Sequence, residues 1–256
     1  DTSDCLAGLT EEQLQCFEQL RKKVTEDASN DEFCTDRCLL RYLRARQWNV
    51  EQAWTMLQGT LQWRKEYQPE AITIEEIEEE AATGKMYISP YQDKSQRPIV
   101  VMRPGLDTTK DRVAKVKYLV WIVENAIKTM KPEENGVEKI TLLIDFTGVG
   151  MSLAGVDNTK VSLEVLNILQ NHYPERLGKA LMVSPPWIFS AFWKVIKPLL
   201  DPVTQEKLVF VKDKKKDAAV VKDCIAEENL EQDFGGTSSW SYNFADWKAQ
   251  HTTQPQ

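Results

Sequence analysis

Histidine is almost missing from this chain: His172 and His251 are the two in 256 residues. That scarcity removes most routes to a metal centre or to a histidine-based triad. Cysteine is sparse as well. The five are Cys5, Cys16, Cys34, Cys38 and Cys224, an odd number without framework spacing, which suits a reducing compartment. Cys34 and Cys38 lie four apart and share a face if helical. Without a second cysteine pair they read as two small buried hydrophobes rather than a metal or redox pair. No stretch approaches ~18 consecutive apolar residues, so no membrane-spanning helix is expected. The first residues carry no signal-peptide pattern, an expectation that leaves room for a targeting segment removed upstream. Positive charge is also short: a net charge of −7 gives no basic field for nucleic-acid backbones. Attraction to anionic lipid must then come from local patches.

What is present is ordinary for a globular chain, 42% hydrophobic and 28% charged, and long enough for one large domain or two small ones. The first third reads as helices. Thr10-Glu11-Glu12-Gln13 is a capping-box pattern opening a helix to about residue 24. Further helices fit 36–46, 50–67 behind the cap Asn49, and 74–82 with a solvated acidic face (Glu78, Glu79, Glu80). At Gly84 the period changes. Strands are predicted over 99–102, 140–145, 180–184 and 208–211, with helices over 112–130, 159–172, 186–200 and after Lys216. This alternation implies βαβ units and a mostly parallel sheet. The tail after Gly236 carries Trp240, Tyr242, Phe244 and Trp247, too aromatic for a free linker, and is expected to pack back on the body.

An α/β pattern invites a search for catalysis, and the search fails. Gly150-Met151-Ser152-Leu153-Ala154 imitates a nucleophile elbow but ends on Ala154, and the one late histidine, His251, sits in a polar tail. Gly148, Gly150 and Gly155 do not space as G-x-G-x-x-G, and no Walker lysine follows a glycine cluster. Asp145 at a strand end reads as a cap or structural anchor.

The stretch from Tyr173 to Lys207 organises the rest. A turn with Glu175 and Arg176 leads into a short apolar strand, then into 186–200, where Trp187, Ile188, Phe189, Phe192, Trp193, Val195, Ile196, Leu199 and Leu200 wrap nearly every face. Only Lys194 and Lys197 interrupt that surface. A helix apolar all round is buried or meets lipid, so this one is expected to be a lid over an apolar cavity.

Two sets of motifs carry a resemblance. Leu39-Leu40-Arg41-Tyr42-Leu43-Arg44-Ala45-Arg46 with Trp48-Asn49-Val50-Glu51-Gln52-Ala53 resembles the N-terminal helical module of the CRAL-TRIO family. Tyr173-Pro174-Glu175-Arg176-Leu177-Gly178, Lys197-Pro198-Leu199-Leu200-Asp201-Pro202 and Phe234-Gly235-Gly236 resemble its lipid-binding domain, in the branch typified by the yeast secretory phosphatidylinositol transfer protein. The likeness runs from Asp31 to Gly236. It implies an N-terminal helical domain (1–82), an α/β domain (83–236) whose mostly parallel sheet floors a lipid cavity gated by a mobile helix, and the aromatic tail (237–256). It also implies a non-enzymatic, monomeric, cytoplasmic carrier without cofactors, transiently membrane-bound, whose ligand is phosphatidylinositol and whose partners include lipid kinases.

Carried over residue by residue, the headgroup site falls on Glu175, Thr204 and Lys207, with Arg46, Asp93 and Pro98 beside them. Gate and acyl-chain contacts fall on Trp187, Phe189, Phe192, Trp193, Ile196 and Leu199. The chemistry suits the assignment: Lys207 offers a charge and Thr204 a hydroxyl to a phosphodiester, and Glu175 accepts from inositol hydroxyls. Read alone, Glu175 and Arg176 also fit a structural ion pair, Lys207 a solvated strand end, and Lys212, Lys214, Lys215 and Lys216 either a weak basic patch or a turn offset by Asp213 and Asp217. Two positions depart from the family. Gln47 stands where a lysine is expected, and Ile140 and Leu142 replace the hydroxyl pair that serves phosphatidylcholine. A carrier of an isoprenoid, sterol or other lipid, or a non-transferring interaction module, are the alternatives that follow.

Overall fold

Side-chain caps set the helix starts of the first third. The computed structural model describes residues 5–27, 32–150, 155–214 and 216–252; Ser152 of the elbow-like run, Lys215 of the lysine cluster and Asp31 lie outside them. Helix α1 (Glu11–Asp27) opens on a capping box, with the Thr10 amide donating to Gln13 Oε1 at 3.1 Å and the Gln13 amide to Thr10 Oγ1 at 3.2 Å. Helix α2 (Asp36–Ala45) starts at Thr35, whose hydroxyl oxygen accepts the Cys38 amide. Helix α3 (Val50–Tyr67) starts at Asn49, whose Oδ1 accepts the Gln52 amide at 3.0 Å, and stops where Gln68 turns left-handed. Helix α4 (Ile74–Ala82) is closed by a bond from the Thr73 amide to Glu76.

From there strands and helices alternate: β1 (Met86–Gln92), β2 (Pro98–Met102), α5 (Arg112–Lys128), α6 (Pro132–Asn135), β3 (Ile140–Asp145), α7 (Val156–His172), β4 (Leu177–Val183), α8 (Phe189–Ile196), α9 (Pro202–Glu206), β5 (Leu208–Val211), α10 (Ala218–Cys224) and α11 (Phe244–Thr252). The chain divides into two compact units. One comprises Asp1–Gln68, Pro132–Gly136 and Leu166–Arg176; the other holds Pro69–Lys131, Val137–Val165 and Leu177–Gln256.

The first unit is built on the apolar stripes of α1, α2 and α3, where Phe17, Leu20, Leu39, Leu43, Ala53 and Leu57 are buried together. Cys34 and Cys38 lie in this core and Cys5 and Cys16 pack against it.

The second unit is a five-stranded sheet in the order β1-β2-β3-β4-β5. Strands β2 to β5 run parallel, and β1 pairs antiparallel with β2. No strand is predicted over Met86–Gln92, a run that contains Pro90. An edge strand tolerates that proline at an irregular register, and the pairing of β1 does shift between Ile88 and Gln92. Alternation along the strands splits the side chains into two layers. Ile99, Val101, Leu143, Leu181, Val183 and Val211 face a layer completed by Val221, Ile225, Leu230 and Phe234. Leu142, Ile144, Ala180, Met182 and Leu208 face the opposite layer, with Phe146 and α8.

The Phe234-Gly235-Gly236 motif has a steric basis. Gly235 has φ +83°, and a β-carbon on Gly236 would lie 1.8 Å from the Leu230 carbonyl oxygen. The tail then packs on the second unit: Tyr242 stacks on Tyr87 at 4.9 Å and donates to the Ala81 carbonyl at 2.9 Å, and Trp247 meets Trp121 at 5.4 Å.

The segment predicted as one helix over 186–200 is shorter. Helix α8 occupies Phe189–Ile196, followed by a 3-10 turn at Lys197–Leu199. Pro198 explains the stop, since its ring excludes the α geometry one turn past Lys194 and its nitrogen has no hydrogen to donate. Three other predicted elements begin a residue to a few residues earlier than expected, at Pro98, Val156 and Leu177, while those at Asp36, Val50, Ile74, Arg112, Ile140 and Leu208 start as predicted.

Candidate functional site

The apolar layer under α8 is aromatic. Phe189 is 5% exposed and sits 4.8 Å from the Phe146 ring, 5.9 Å from Trp193 and 6.1 Å from Phe210. Trp193 closes on Phe210 edge-on at 5.4 Å. Ile196 is buried and Phe192 half-buried. The outer face of the same segment is equally apolar but open: Trp187 is 77% exposed, Val195 49% and Leu199 48%. Lys194 and Lys197 flank that face in solvent. A hydrophobic face bordered by lysines is unusual on a surface that meets only water. Entry to the segment is strained, since Ser184 has φ +50° directly before Pro185 and Pro186, while its amide donates to Val211 at 2.8 Å.

Polar groups gather where α9 meets β5. Asp201 caps α9, accepting from the Thr204 amide at 2.9 Å and from the Thr204 hydroxyl at 2.5 Å. The Asp-Pro-Val-Thr sequence is an N-cap followed by proline at the first helical position, a local signal that the family comparison of residues passes over. Burial raises the Asp201 carboxyl, but the Thr204 bonds and then the Lys207 charge outweigh it and hold the group below its ordinary value. Lys207 ends α9, and its carbonyl accepts the Ala180 amide at 2.9 Å, tying the strand start to β4. The structure thus brings Thr204 and Lys207 together around Asp201, with the Thr204 hydroxyl hydrogen already given to that carboxylate.

Asp93 and Pro98 belong to the β1–β2 connection of the same unit. Asp93 is 5% exposed and its carboxylate is fully engaged. Oδ1 accepts the Ser95 and Arg97 amides at 2.8 and 2.9 Å, and Oδ2 accepts the Thr141 hydroxyl at 2.6 Å and the Cys224 thiol at 3.8 Å. Its bonds therefore hold the turn and the neighbouring strand. Burial, then the adjacent Asp93 charge, pushes the Cys224 thiol up. Pro98 is buried and opens β2 opposite Gln92.

Arg46 and Glu175 belong to the first unit. Arg46 caps the end of α2 and donates from Nη1 to the Ala45 carbonyl at 3.0 Å, ahead of two left-handed residues, Gln47 and Trp48. Glu175 is the third residue of a turn, with φ +60° and the Arg176 amide pointing back to the Tyr173 carbonyl at 3.4 Å. Proline second and a left-handed residue third is the type II pattern, in which glycine or asparagine normally takes the third place. Holding a glutamate there costs on the order of 1 kcal/mol. Sequence reasoning found Glu175 but missed what anchors it, Thr60, Trp63 and His172, because those contacts join residues 111 and 112 positions apart.

Elsewhere in the second unit, Asp145 accepts from the Thr147 amide and hydroxyl at 3.0 and 2.6 Å and from Lys214 at 3.3 Å, which makes it an anchor of the strand end. Asp213 and Asp217 bond backbone amides of the lysine-rich turn. A cavity of 570 Å³ lies between Tyr87, Arg103, Glu231 and the tail, and none of the expected headgroup or gate residues lines it. Among the described residues no helix is long and apolar enough to cross a membrane, and no three histidine, cysteine or acidic side chains are grouped as for a metal ion.

These features define a class: an α/β domain in which an aromatic helix covers one apolar sheet face, accompanied by a helical module. The CRAL/TRIO domain profile matches residues 82–236 and the CRAL/TRIO N-terminal domain profile residues 14–59. The chain belongs to the CRAL-TRIO family. It is 38% identical over 253 residues to a CRAL-TRIO domain-containing protein of Schizosaccharomyces pombe, covering 92% of this chain and 24% of that one. It is 37% identical over 183 residues to the phosphatidylinositol transfer protein PDR17 of Saccharomyces cerevisiae, covering 68% and 51% respectively. Against the SEC14 cytosolic factor of Eremothecium gossypii the identity is 34% over 263 residues, covering 93% and 83%. The chain thus spans about a quarter of the first of these relatives and about half of the second. The crystal structure of Sfh5 superposes with a TM-score of 0.75 at 17% identity, covering 95% of this chain and 97% of that one, and shares the fold.

Proposed function

We propose that this chain binds phosphatidylinositol and exchanges it with membranes, with residues 1–82 as helical module, 83–236 as carrier domain and 237–256 as a brace. The observation that carries the reading is the two-sided α8 segment, with Phe189 seated on the sheet and Trp187 open to solvent. Relatives named as phosphatidylinositol transfer proteins support the choice of ligand. Burying about thirty methylenes of two acyl chains is worth on the order of 25 kcal/mol at ~0.8 kcal/mol each, so the protein interior must nearly match the bilayer for lipid both to leave and to return. Opening exposes apolar surface, which is tolerable only where a membrane covers it. Trp187 and Leu199 suit that interface, and Lys194 and Lys197 suit anionic headgroups. In this reading α8 gates the ligand, and Trp187, Phe189, Phe192, Trp193, Ile196 and Leu199 are the gate and acyl-chain contacts.

Lys207 meets the phosphodiester, Thr204 joins it by turning its hydroxyl hydrogen away from Asp201, Glu175 accepts from inositol hydroxyls, and Arg46 adds charge. Asp93 and Pro98 shape the neighbouring turn. The protein acts without a cofactor and without catalysis, as a cytoplasmic monomer that visits membranes transiently and presents its lipid to kinases. Lys207→Ala lowers phosphatidylinositol transfer between vesicles at least about tenfold while far-ultraviolet circular dichroism stays unchanged. Undiminished transfer by that variant overturns the headgroup assignment.

Ile140 and Leu142 motivate a second reading. Neither has a hydrogen bond to offer a phosphate, and Leu142 faces the α8 layer, so the exchange partner is a less polar lipid than phosphatidylcholine, such as a sterol or isoprenoid. Competition of each lipid against bound phosphatidylinositol separates the choices.

A further inference from the structure

Glu175 keeps its left-handed conformation because residues just before it are held by α3 of the same unit. Thr60 is 0% exposed, and its hydroxyl lies 3.0 Å from the Asn171 carbonyl, against 3.3 Å from the Met56 carbonyl of its own helix. The same oxygen is 3.2 Å from His172 Nδ1. A hydroxyl has one hydrogen to give. Given to Asn171, it leaves the oxygen free to accept, which assigns the hydrogen-bearing role to His172 Nδ1. The imidazole lies flat on Trp63, with centroids 4.3 Å apart and planes 6° from parallel, and Trp63 meets Tyr173 edge-on at 5.9 Å. Tyr42 reaches the His172 carbonyl at 3.5 Å. Three consecutive residues are therefore gripped, Asn171 and His172 directly ahead of the turn and Tyr173 at its first position. Burial, and then the charge of Arg64, pushes His172 down to about 4, so the ring in this grip is neutral at physiological pH.

We propose that Thr60 and Trp63 are positioning residues for inositol recognition: acting through His172, they fix the turn that aims Glu175, without themselves touching lipid. The inference rests on the headgroup reading of Glu175. It gives the helical module a part in specificity, since the strained turn relaxes once its anchor is loosened.

The test compares Thr60→Val, Thr60→Ser and Trp63→Leu with Glu175→Gln in the full chain. Each variant's equilibrium binding is measured for phosphatidylinositol and for diacylglycerol with the same acyl chains, which has the tails and lacks the phosphoinositol. Thr60→Val and Trp63→Leu are expected to lose about fivefold in phosphatidylinositol affinity with diacylglycerol affinity unchanged, and Thr60→Ser to restore it. The Thr60→Val/Glu175→Gln double variant is expected to bind no worse than Glu175→Gln alone. Nitrogen NMR of the imidazole is expected to show the hydrogen leaving Nδ1 in Thr60→Val. Equal loss for both lipids, or fully additive losses in the double variant, overturns positioning in favour of a general structural role. Normal phosphatidylinositol binding by Thr60→Val beside weakened binding by Glu175→Gln overturns this inference alone. Normal binding by Glu175→Gln overturns the headgroup reading of Glu175 and the positioning role with it.

Discussion

The turn at Tyr173–Arg176 and the α8 segment are built in opposite ways. The turn is short, polar and over-determined: a strained glutamate follows residues held by a buried threonine, a stacked imidazole and a tryptophan. Helix α8 is two turns of apolar residues, stopped by Pro198, seated mainly through Phe189, Ile188 and Ile196, with its other face open. Strain can be stored only where neighbours enforce it, and movement is cheap only where few contacts must break. Under the proposed function, headgroup discrimination would belong to the first region and exchange to the second.

The largest effect should come from removing the seat of α8. Phe189→Ala deletes the ring shared by Phe146, Trp193 and Phe210, and is expected to destabilise the second unit by about 3 kcal/mol. Chemical denaturation measures it. A change below about 1 kcal/mol means the helix is held by something other than its aromatic seat.

Acid is the next lever, and it acts on the turn's anchor. His172 is held at about 4, by burial first and Arg64 second, against an ordinary value of 6.5. The unfolded chain therefore takes up a proton before the folded one does. Stability from this group is complete above about pH 6.5 and is lost as pH falls towards about 4. His172→Phe keeps the stack on Trp63 and is expected to flatten the pH dependence of unfolding in that window, most readily seen between the histidine and carboxylate ranges. An unchanged slope contradicts the half-buried, neutral imidazole.

Glu175→Gly sharpens the comparison with a smaller shift of opposite sign. Glycine takes φ +60° without strain, so the variant is expected to gain up to about 1 kcal/mol in stability while its phosphatidylinositol binding falls. A stability loss means the Glu175 side chain earns its place by packing rather than recognition. Trp187→Ser carries the smallest stability effect, within about 0.5 kcal/mol, because the ring is 77% exposed. Its expected phenotype is slower lipid exchange with anionic vesicles at unchanged ligand affinity.

Much of this was legible in the sequence, for physical reasons that differ by element. Strands β3 and β5 stand out as apolar runs because both faces of the sheet are covered. The starts of α1 and α3 are readable because capping is local chemistry among four residues. Strand β1 escapes notice because an edge accepts Pro90, and the length of α8 is misjudged when apolar continuity is weighed above Pro198. The grip of Thr60 on Asn171 and His172 has no local sign at all. Nor does the commitment of Asp93 to Thr141, two residues 48 positions apart. The residues of the headgroup reading came from motif likeness; their partners came only from folding.

Native mass spectrometry of the protein purified from its own cells tests the central claim most directly. A one-to-one adduct with the mass of phosphatidylinositol, lost in Lys207→Ala, is the predicted result. A sterol or isoprenoid adduct, or a bare protein mass under conditions that preserve lipid complexes, contradicts it.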